Sequence, residues 1–161
     1  MHTHMTNTRI TDSEIFERRY PVLLHSFSLR PGSGGAGQHP GGDGVIRDIE
    51  FRIPVQVSIL SERRVFRPYG LEGGEDGGVG RNIWVRRVEG KDGGEGWREV
   101  NLGGKNTAAM KAGERIVINT PGGGGWGRVG QSSVAKREVD HRHMWRKGSV
   151  AMRQETADSS M

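Results

Sequence analysis

The sequence predicts a mainly β protein, an antiparallel sandwich or barrel-like sheet with one short N-terminal helix and long Gly-rich loops. Several runs alternate apolar and polar residues, and a period of two is typical of strands that bury one face. Glycine supplies 27 of the 161 residues, and most glycines lie between these runs, where they favour turns and loops. Only one stretch near the N-terminus carries the start and stop signals of a helix.

A helix of about two turns is predicted first in the chain. Thr11 is suited to the N-cap position, and Glu14 follows three residues later, which is the spacing of a capping box. Ile15 and Phe16 give the helix an apolar side. Pro21 ends the helix, because proline cannot continue the helical hydrogen bonds.

About six strands are predicted from the alternating runs. They cover residues 23–29, 45–51, 55–59, 82–88, 97–102 and 115–119. A polar, glycine-rich turn separates the fourth and fifth runs, which is typical of a hairpin. Pro54 separates the second and third runs, so we expect neighbouring or bent strands of one antiparallel sheet there. Lys105 is expected to lie in a turn after the fifth run.

Two polar side chains share faces with apolar residues. In the first run His25 lies on the same face as Phe27 and Leu29. We interpret it as a core or rim histidine with satisfied hydrogen bonds. In the second run Arg47 lies on the same face as Ile49. Strand periodicity therefore places one histidine and one arginine on faces that otherwise favour the core.

Composition narrows the classes of protein. The chain has no cysteine, which excludes disulfide bonds and thiolate catalysis. No apolar run approaches the roughly 18 residues of a membrane-spanning helix, and a cytoplasmic protein is expected. The net charge is +5, but acidic and basic residues alternate, so neither nucleic acid nor a membrane is an expected partner. Hydrophobic residues make up only 32%, which predicts a thin core or one completed by neighbouring segments.

The chain is expected to divide after residue 127. Residues 1–127 carry all the alternating runs and are interpreted as the folded domain. Residues 128–161 mix charges with few apolar residues and are predicted to form a disordered or weakly helical tail. Each end has a His-x-His pair, at residues 2 and 4 and at residues 141 and 143. Neither pair has an evident third ligand, so no metal site is predicted.

The strongest local signal is the stretch Thr-Pro-Gly-Gly-Gly-Gly-Trp-Gly at residues 120–127, directly after the last predicted strand. Two interpretations remain open. The N–H groups of Gly122, Gly123, Gly124 and Gly125 could form a nest that binds an anion or a developing oxyanion. The same glycines could instead form a tight turn with no ligand.

Nucleotide-binding motifs are not supported. Gly32, Gly34 and Gly37 match the pattern Gly-x-Gly-x-x-Gly, but the following Gln-His-Pro-Gly-Gly cannot open the helix that a dinucleotide fold requires. Residues 122–127 match the same pattern and also lack a following helix. A phosphate-binding loop that ends in Gly-Lys-Ser or Gly-Lys-Thr is missing. No cofactor site is therefore predicted in this chain.

Several blocks together resemble the hydantoinase B/5-oxoprolinase family. In chain order they are Thr-Asn-Thr-Arg at 6–9 with Glu-Arg-Arg-Tyr-Pro at 17–21, the glycine-rich residues 32–47, residues 58–74, Asn-Leu-Gly-Gly-Lys at 101–105, and the stretch at 120–127. The resemblance concerns the C-terminal portion of the family, over residues 4–127. In the family the first block lies deep inside a long polypeptide, so Met1 is expected to be a truncation or an internal start. Pro40 departs from the family pattern, in which an arginine precedes the Gly-Gly pair.

The resemblance implies an enzyme that opens lactam or hydantoin rings with ATP. The best-known class, 5-oxoprolinase, hydrolyses 5-oxo-L-proline to L-glutamate in glutathione metabolism. Family chemistry phosphorylates the amide oxygen and then lets water attack. The resemblance also implies ATP and a divalent metal for the complete enzyme, a hydantoinase A-like half or subunit that binds the ATP, a small cyclic-amide substrate and an oligomeric assembly. The chain alone is expected to be a fragment without ring-opening activity.

Candidate substrate-binding residues follow from the resemblance, whereas no catalytic residue is assigned. Arg63 and Arg64 are candidate donors to a phosphorylated or anionic oxygen, together with the glycines 122–125. The alternative for the arginines is a structural pair with Glu62. Asp43 is a candidate acceptor for the substrate amide, and its alternative role is to brace a turn. For the whole chain, the alternatives are a non-catalytic β-domain for subunit association or a subunit of a related carboxylase branch.

Overall fold

The computed structural model describes residues 10–89 and 95–130. Within these ranges the chain forms one helix and seven strands. The helix α1 is Ser13–Arg19, and the strands are β1 Val22–Arg30, β2 Gly44–Phe51, β3 Val55–Leu60, β4 Arg81–Glu89, β5 Glu95–Asn101, β6 Lys105–Met110 and β7 Arg115–Asn119. The predicted class, mainly β with one short N-terminal helix, is confirmed.

Two antiparallel sheets make up the fold. Strands β1, β2, β7, β4 and β5 lie in that order in a five-stranded sheet, and β3 pairs with β6 in a two-stranded sheet. The five-stranded sheet is not closed, because β1 and β5 remain its edges, so the fold is not a barrel. The predicted hairpin is present as β4 and β5, with a register from Ile83 opposite Asn101 to Glu89 opposite Glu95.

The hydrophobic core joins residues from the two sheets. Ile49 and Ile116 from the five-stranded sheet cluster with Ala108 and Met110 from the two-stranded sheet, and with Leu102. Only seven apolar side chains of the described residues are buried. This small interior agrees with the thin core expected from the low hydrophobic content.

Helix α1 begins with a different cap from the one predicted. Asp12 is the N-cap, and its Oδ1 accepts a hydrogen bond from the N–H of Glu14 at 3.0 Å. Thr11 is not the cap, and Glu14 therefore lies one position too close for a capping box. Aspartate is at least as favourable a cap as threonine, because its carboxylate accepts unpaired N–H groups of the first turn. The helix ends at Arg19, and its C-cap Tyr20 lies directly before Pro21, as predicted.

The prediction that the second and third runs are neighbouring strands of one sheet is wrong. Strand β3 pairs with β6 instead, from Val55 opposite Met110 to Leu60 opposite Lys105. The sequence does not predict β6, because its lysine, asparagine and alanine residues have low β-propensity. Pairing with β3 and burial of Ala108 and Met110 stabilise this strand. Lys105 accordingly begins a strand and does not lie in a turn.

A β-bulge shifts the register of β1 between Leu24 and Ser26. His25 lies at this irregularity, so it does not share one continuous face with Phe27 as predicted. The Nε2 atom of His25 lies 2.8 Å from Glu50 Oε2, and the histidine side chain is 35% exposed. His25 is therefore a rim histidine with a carboxylate partner, one of the two environments expected for it.

Some predictions concern residues outside the described ranges. The two His-x-His pairs and the tail from residue 131 onward are among them, and both expectations stay predictions. In the part of the chain that the structure describes, no helix is long and apolar enough to cross a membrane.

Candidate functional site

Three glycine-rich segments leave the five-stranded sheet at one end of its strands, an edge that runs across the strands and is distinct from the edge strands β1 and β5. Strand β2 begins at Gly44, β4 begins at Arg81 and β7 ends at Asn119, and the strand registers place these three ends side by side. The segments are residues 33–43, 68–80 and 120–127, and together we call them the glycine bundle. Antiparallel neighbours enter and leave a sheet at the same edge, so the sheet itself gathers the three segments.

The segment 120–127 is the centre of the glycine bundle. Its backbone N–H groups donate to carbonyl oxygens of both other segments: Gly122 to Gly78 at 3.1 Å, Gly123 to Gly42 at 2.8 Å, Gly125 to Glu75 at 2.8 Å and Trp126 to His39 at 2.9 Å. The carbonyl oxygen of Gly123 accepts in return from the N–H of Gly35 at 2.8 Å. The main chain of one segment thus supplies hydrogen-bond partners to the other two.

The segments approach so closely that side chains have no room between them. A Cβ atom at Gly122 would overlap the carbonyl oxygen of Ser33, and one at Gly124 would overlap that of Tyr69. Only a residue without a Cβ permits this direct contact between backbones. Gly78 differs, because a Cβ there would lie 3.4 Å from its nearest neighbour atom, which is ordinary contact.

These hydrogen bonds bear on the two interpretations of the stretch at 120–127. An oxyanion nest needs N–H groups that converge on one point. The N–H groups of Gly122, Gly123 and Gly125 instead donate to three different carbonyl oxygens. No turn is formed within residues 121–125 either, since they run through the bundle to the bridge at Trp126. These glycines form the packed centre of the bundle, and their contact with a substrate stays a prediction.

Asp43 braces the first segment of the glycine bundle. Its Oδ1 accepts the N–H groups of Ser33 and Gly34, both at 2.9 Å. The bond from Gly34 is the main cause that lowers the pKa of the Asp43 carboxyl below its ordinary value. The bonds from Ser33 act in the same direction, and partial desolvation opposes them. This geometry matches the bracing role, whereas contact of Asp43 with a substrate amide stays a prediction.

Ser33 and Arg30 connect the bundle segments to one another. The buried Ser33 hydroxyl donates to the carbonyl oxygen of Arg30 at 2.7 Å and accepts the N–H of Gly44 at 2.8 Å. The Nη1 of Arg30 donates to the carbonyl oxygens of Val79 at 2.7 Å and Thr120 at 3.1 Å. One arginine at the end of β1 therefore contacts the two other segments where they meet the sheet.

Arg64 lies half-buried beside the same edge. Its Nη1 donates to the carbonyl oxygen of Glu62 at 2.6 Å, and its Nη2 donates to Asn82 Oδ1 at 3.1 Å. Its Nε is buried with no hydrogen-bond partner among the described residues. Burial, and next the positive charge of Arg30, lower the pKa of the Arg64 guanidinium. Arg30 and Arg64 therefore lie close enough to interact electrostatically, and guanidinium groups are suited to bind anions.

Arg63 and Arg64 contact different partners in this structure. The guanidinium carbon of Arg63 lies 5.5 Å from the centroid of the Tyr69 ring, on the exposed loop. Glu62 pairs with Lys105 at 3.3 Å, so the alternative in which Glu62 pairs with an arginine is not what the described residues show. Both partners of that pair are exposed, and such pairs contribute little to stability. Substrate binding by either arginine stays a prediction.

Asn82 positions Arg64, and the sequence pattern does not mark it. Asn82 is 1% exposed. Its amide nitrogen donates to Ser61 Oγ at 2.9 Å and to the carbonyl oxygen of Gly103 at 2.7 Å, while its Oδ1 accepts from Arg64. A buried amide with all these bonds fixes the loop against the sheet. An asparagine at the start of a predicted strand carries no local signal of that role.

Glu114 is a second buried polar residue that sequence reasoning misses. It follows a turn before β7 and is 1% exposed. Its Oε2 accepts from Trp84 Nε1 at 3.0 Å and from the N–H of Lys111 at 2.9 Å, and its Oε1 accepts from the N–H of Arg87 at 3.2 Å. Its carboxylate thus ties the turn before β7 to β4.

Comparison with protein families identifies the family to which the chain belongs. A family model described as hydantoinase B/oxoprolinase matches residues 1–129. The chain belongs to the hydantoinase B/oxoprolinase family, and the resemblance noted in the sequence is confirmed.

Named relatives and a solved structure agree with this assignment. The chain is 59% identical over 124 residues to 5-oxoprolinase 1 of Arabidopsis thaliana and 56% identical over 115 residues to 5-oxoprolinase of Saccharomyces cerevisiae. These matches cover 77% and 71% of this chain but only 9% and 8% of the relatives. The crystal structure of ATP-dependent caprolactamase from Pseudomonas jessenii is similar with a TM-score of 0.51 and 28% identity, over 73% of this chain and 20% of that one.

Proposed function

We propose that this chain is part of an ATP-dependent hydrolase that opens a cyclic amide, with 5-oxo-L-proline as substrate and L-glutamate as product. The observation that carries the proposal is the identity of 59% and 56% to two enzymes named 5-oxoprolinase. The chain spans less than a tenth of those relatives, so the activity belongs to a larger assembly. We also propose that this assembly is cytoplasmic.

This chain contributes a surface of hydrogen-bonded main chain, with the guanidinium groups of Arg30 and Arg64 beside it. The glycine bundle fixes the ends of β2, β4 and β7 through main-chain hydrogen bonds. Arg64, held by Asn82 and lying near Arg30, is the donor that we assign to an anionic oxygen of the substrate or of its phosphorylated form. Asp43 acts on this edge through Ser33, and the glycines 122–125 act by holding the edge in shape. Arg63 is assigned to the outer loop beside it.

ATP and the divalent metal are assigned to another part of the assembly. Residues 10–89 and 95–130 contain no group of three or more histidine or acidic residues that could hold a metal ion. These residues therefore do not supply a binding site for the metal. A relative in Pseudomonas jessenii is named caprolactamase subunit beta. By analogy, we propose a hydantoinase A-like half or subunit as the partner that binds ATP.

The loop after β3 offers a surface for that partner. Leu60, Val65 and Phe66 are 83%, 80% and 79% exposed, and Tyr69 and Leu71 are also exposed. Several large apolar side chains exposed at the end of β3 and in the loop after it are typical of an interaction site. We assign this loop to the contact with the hydantoinase A-like part.

A second candidate function is subunit association without any contact to substrate. It is favoured by one observation, that several N–H groups of the central glycine segment are already bonded within the bundle. Under this alternative, Arg64 would stabilise the loop and have no effect on turnover beyond assembly.

Kinetics of the assembled enzyme separate the two functions. Arg64→Gln is expected to lower kcat/KM for 5-oxoproline by about tenfold or more, because a charge-assisted donor is lost. Arg18→Gln is the matched control, since Arg18 is exposed on α1. Unchanged kcat/KM in an intact Arg64→Gln assembly would favour the association function. Ring opening by the chain alone would contradict the proposal of a composite enzyme.

A further inference from the structure

A cavity of about 450 Å³ opens between α1 and β1, away from the glycine bundle. Its described lining residues are Ile10, Thr11, Asp12, Ser13, Phe16, Leu24, His25, Ser26, Phe27 and Arg47. This volume suits a small molecule. The lining is mixed, with two phenyl rings, several hydroxyl groups and one arginine.

Arg47 is the unusual residue of this cavity. It lies in β2, two residues before the buried Ile49, and its side chain extends to the aromatic residues of α1 and β1. Its guanidinium carbon lies 5.2 Å from the ring centroid of Phe16 and 5.8 Å from that of Phe27. Within the described ranges, no carboxylate pairs with it. Each such cation–π contact stabilises a cation by about 0.5–2 kcal/mol.

The two rings leave the hydrogen-bonding edge of Arg47 available. Cation–π contacts use the faces of a guanidinium, whereas its N–H donors point outward in its plane and match a carboxylate. A guanidinium that packs against two rings is therefore suited to a carboxylate ligand.

The other charged groups of the cavity select among anions. His25 is engaged with Glu50 at 2.8 Å, and Asp12 Oδ1 is engaged with the N–H of Glu14 at 3.0 Å. The negative charge of Asp12 disfavours multiply charged anions such as phosphate. The same carboxylate can accept a hydrogen bond from an N–H group of a ligand.

We propose that this cavity binds a small organic monoanion whose carboxylate pairs with Arg47, and that the ligand is a carboxylate-bearing cyclic amide. The choice of a cyclic amide rests on the proposed function, whereas the choice of a carboxylate rests on Arg47 alone. The cavity is then a second binding site for such a ligand, separate from the edge at which Arg64 is proposed to act.

Ligand titrations followed by amide NMR signals of the 161-residue chain test this site. The probes are L-5-oxoproline, cyclopentanecarboxylate, which keeps the acid but lacks the amide, and 2-pyrrolidinone, which keeps the amide but lacks the acid. We expect both acids to shift the signals of Ser26 and Phe27, and 2-pyrrolidinone to bind at least about tenfold more weakly, because it has no group for Arg47.

Substitutions distinguish a ligand site from a contact that only stabilises the packing of α1 against the sheet. Arg47→Gln is expected to weaken binding of the acids by at least about tenfold, Arg47→Lys by less, and the exposed control Arg18→Gln not at all. Arg47→Lys keeps the charge, so it remains informative where Arg47→Gln loosens the helix. Equal binding of L-5-oxoproline and 2-pyrrolidinone, or undiminished acid binding in Arg47→Gln, would overturn the site. Binding of cyclopentanecarboxylate but not of L-5-oxoproline would support the carboxylate site and contradict the cyclic-amide ligand.

Discussion

Gly124 lies against the carbonyl group of Tyr69, so closely that a Cβ atom on Gly124 would overlap the carbonyl oxygen. This contact joins the centre of the glycine bundle to the exposed loop that carries Arg63 and Phe66. Backbone atoms cannot yield as a flexible side chain can, so the contact constrains which residue is tolerated. The bundle is therefore a packed structure of main chains.

Replacing Gly124 by alanine tests this packing. We expect Gly124→Ala to lower the free energy of unfolding by an amount at the upper end of the about 1–3 kcal/mol that overpacking costs. The matched control is Gly78→Ala, because a Cβ at Gly78 has ordinary contacts. That control is expected to be neutral or to stabilise by up to about 1 kcal/mol, through the lower entropy of the unfolded chain.

Urea unfolding of the two variants beside the unsubstituted chain measures the difference. If Gly124→Ala and Gly78→Ala unfold at the same urea concentration, close backbone contact is not what the glycines provide. Gly123→Ala should fall between them, because its Cβ would lie 3.3 Å from the nitrogen of Gly42.

The class of fold is predictable from the sequence, whereas the bundle is not. Period-two alternation marks six of the seven strands, since burial of one face leaves that pattern. Strand β6 is not predicted, because Ala108 and Met110 bury one of its faces although the strand has low β-propensity. Glycine runs predict irregular structure. Which backbones they bring together depends on the strand order, and the local sequence does not contain that order.

The candidate site is also predicted only in part. The family resemblance singles out Asp43 and Arg64, and both lie in the hydrogen-bond network at the sheet edge. The partners Ser33 and Asn82 are missed, because buried polar residues are recognised only from their surroundings. The nest interpretation rests on composition alone, which does not show where the N–H groups of glycines point.

Removing the charge of Asp43 should change the pH dependence of stability. The pKa of this carboxyl is lowered in the folded protein, mainly by the N–H of Gly34. The folded state then binds fewer protons than the unfolded state, so the contribution is fully present above the ordinary aspartate pKa of about 3.9. It is lost as the pH falls through the folded-state pKa.

We therefore expect the urea midpoints of the unsubstituted chain and Asp43→Asn to differ most above about pH 5 and to converge below about pH 3.9. Comparing the two proteins at each pH cancels the titration of the other carboxyl groups. A difference that stays constant from pH 6 to pH 3, as measured by urea unfolding, would argue against the bond between Asp43 and Gly34.

The buried carboxylate of Glu114 should be hard to replace by an amide. Glu114→Gln keeps one oxygen, whereas the native side chain accepts from Trp84, Lys111 and Arg87 with two oxygens. We expect a loss of about 1–3 kcal/mol in the free energy of unfolding, because at least one buried donor loses its acceptor. Thermal or urea unfolding measures this loss.

Glu99→Gln is the control for that substitution, since Glu99 is exposed on β5. It makes the same chemical change, and its effect should stay within about 0.5 kcal/mol. A Glu114→Gln variant as stable as Glu99→Gln, in thermal or urea unfolding, would show that the three hydrogen bonds contribute little.

The most direct test of the proposed function is 5-oxoproline-dependent ATP hydrolysis by the assembly that contains this chain, purified from its source through a tag on the chain. Both ADP and L-glutamate would be measured, with and without 5-oxo-L-proline. The account predicts that ADP release rises on addition of 5-oxo-L-proline and that L-glutamate appears with it. An intact assembly that releases no L-glutamate, or whose ATP hydrolysis does not respond to 5-oxo-L-proline, would contradict it.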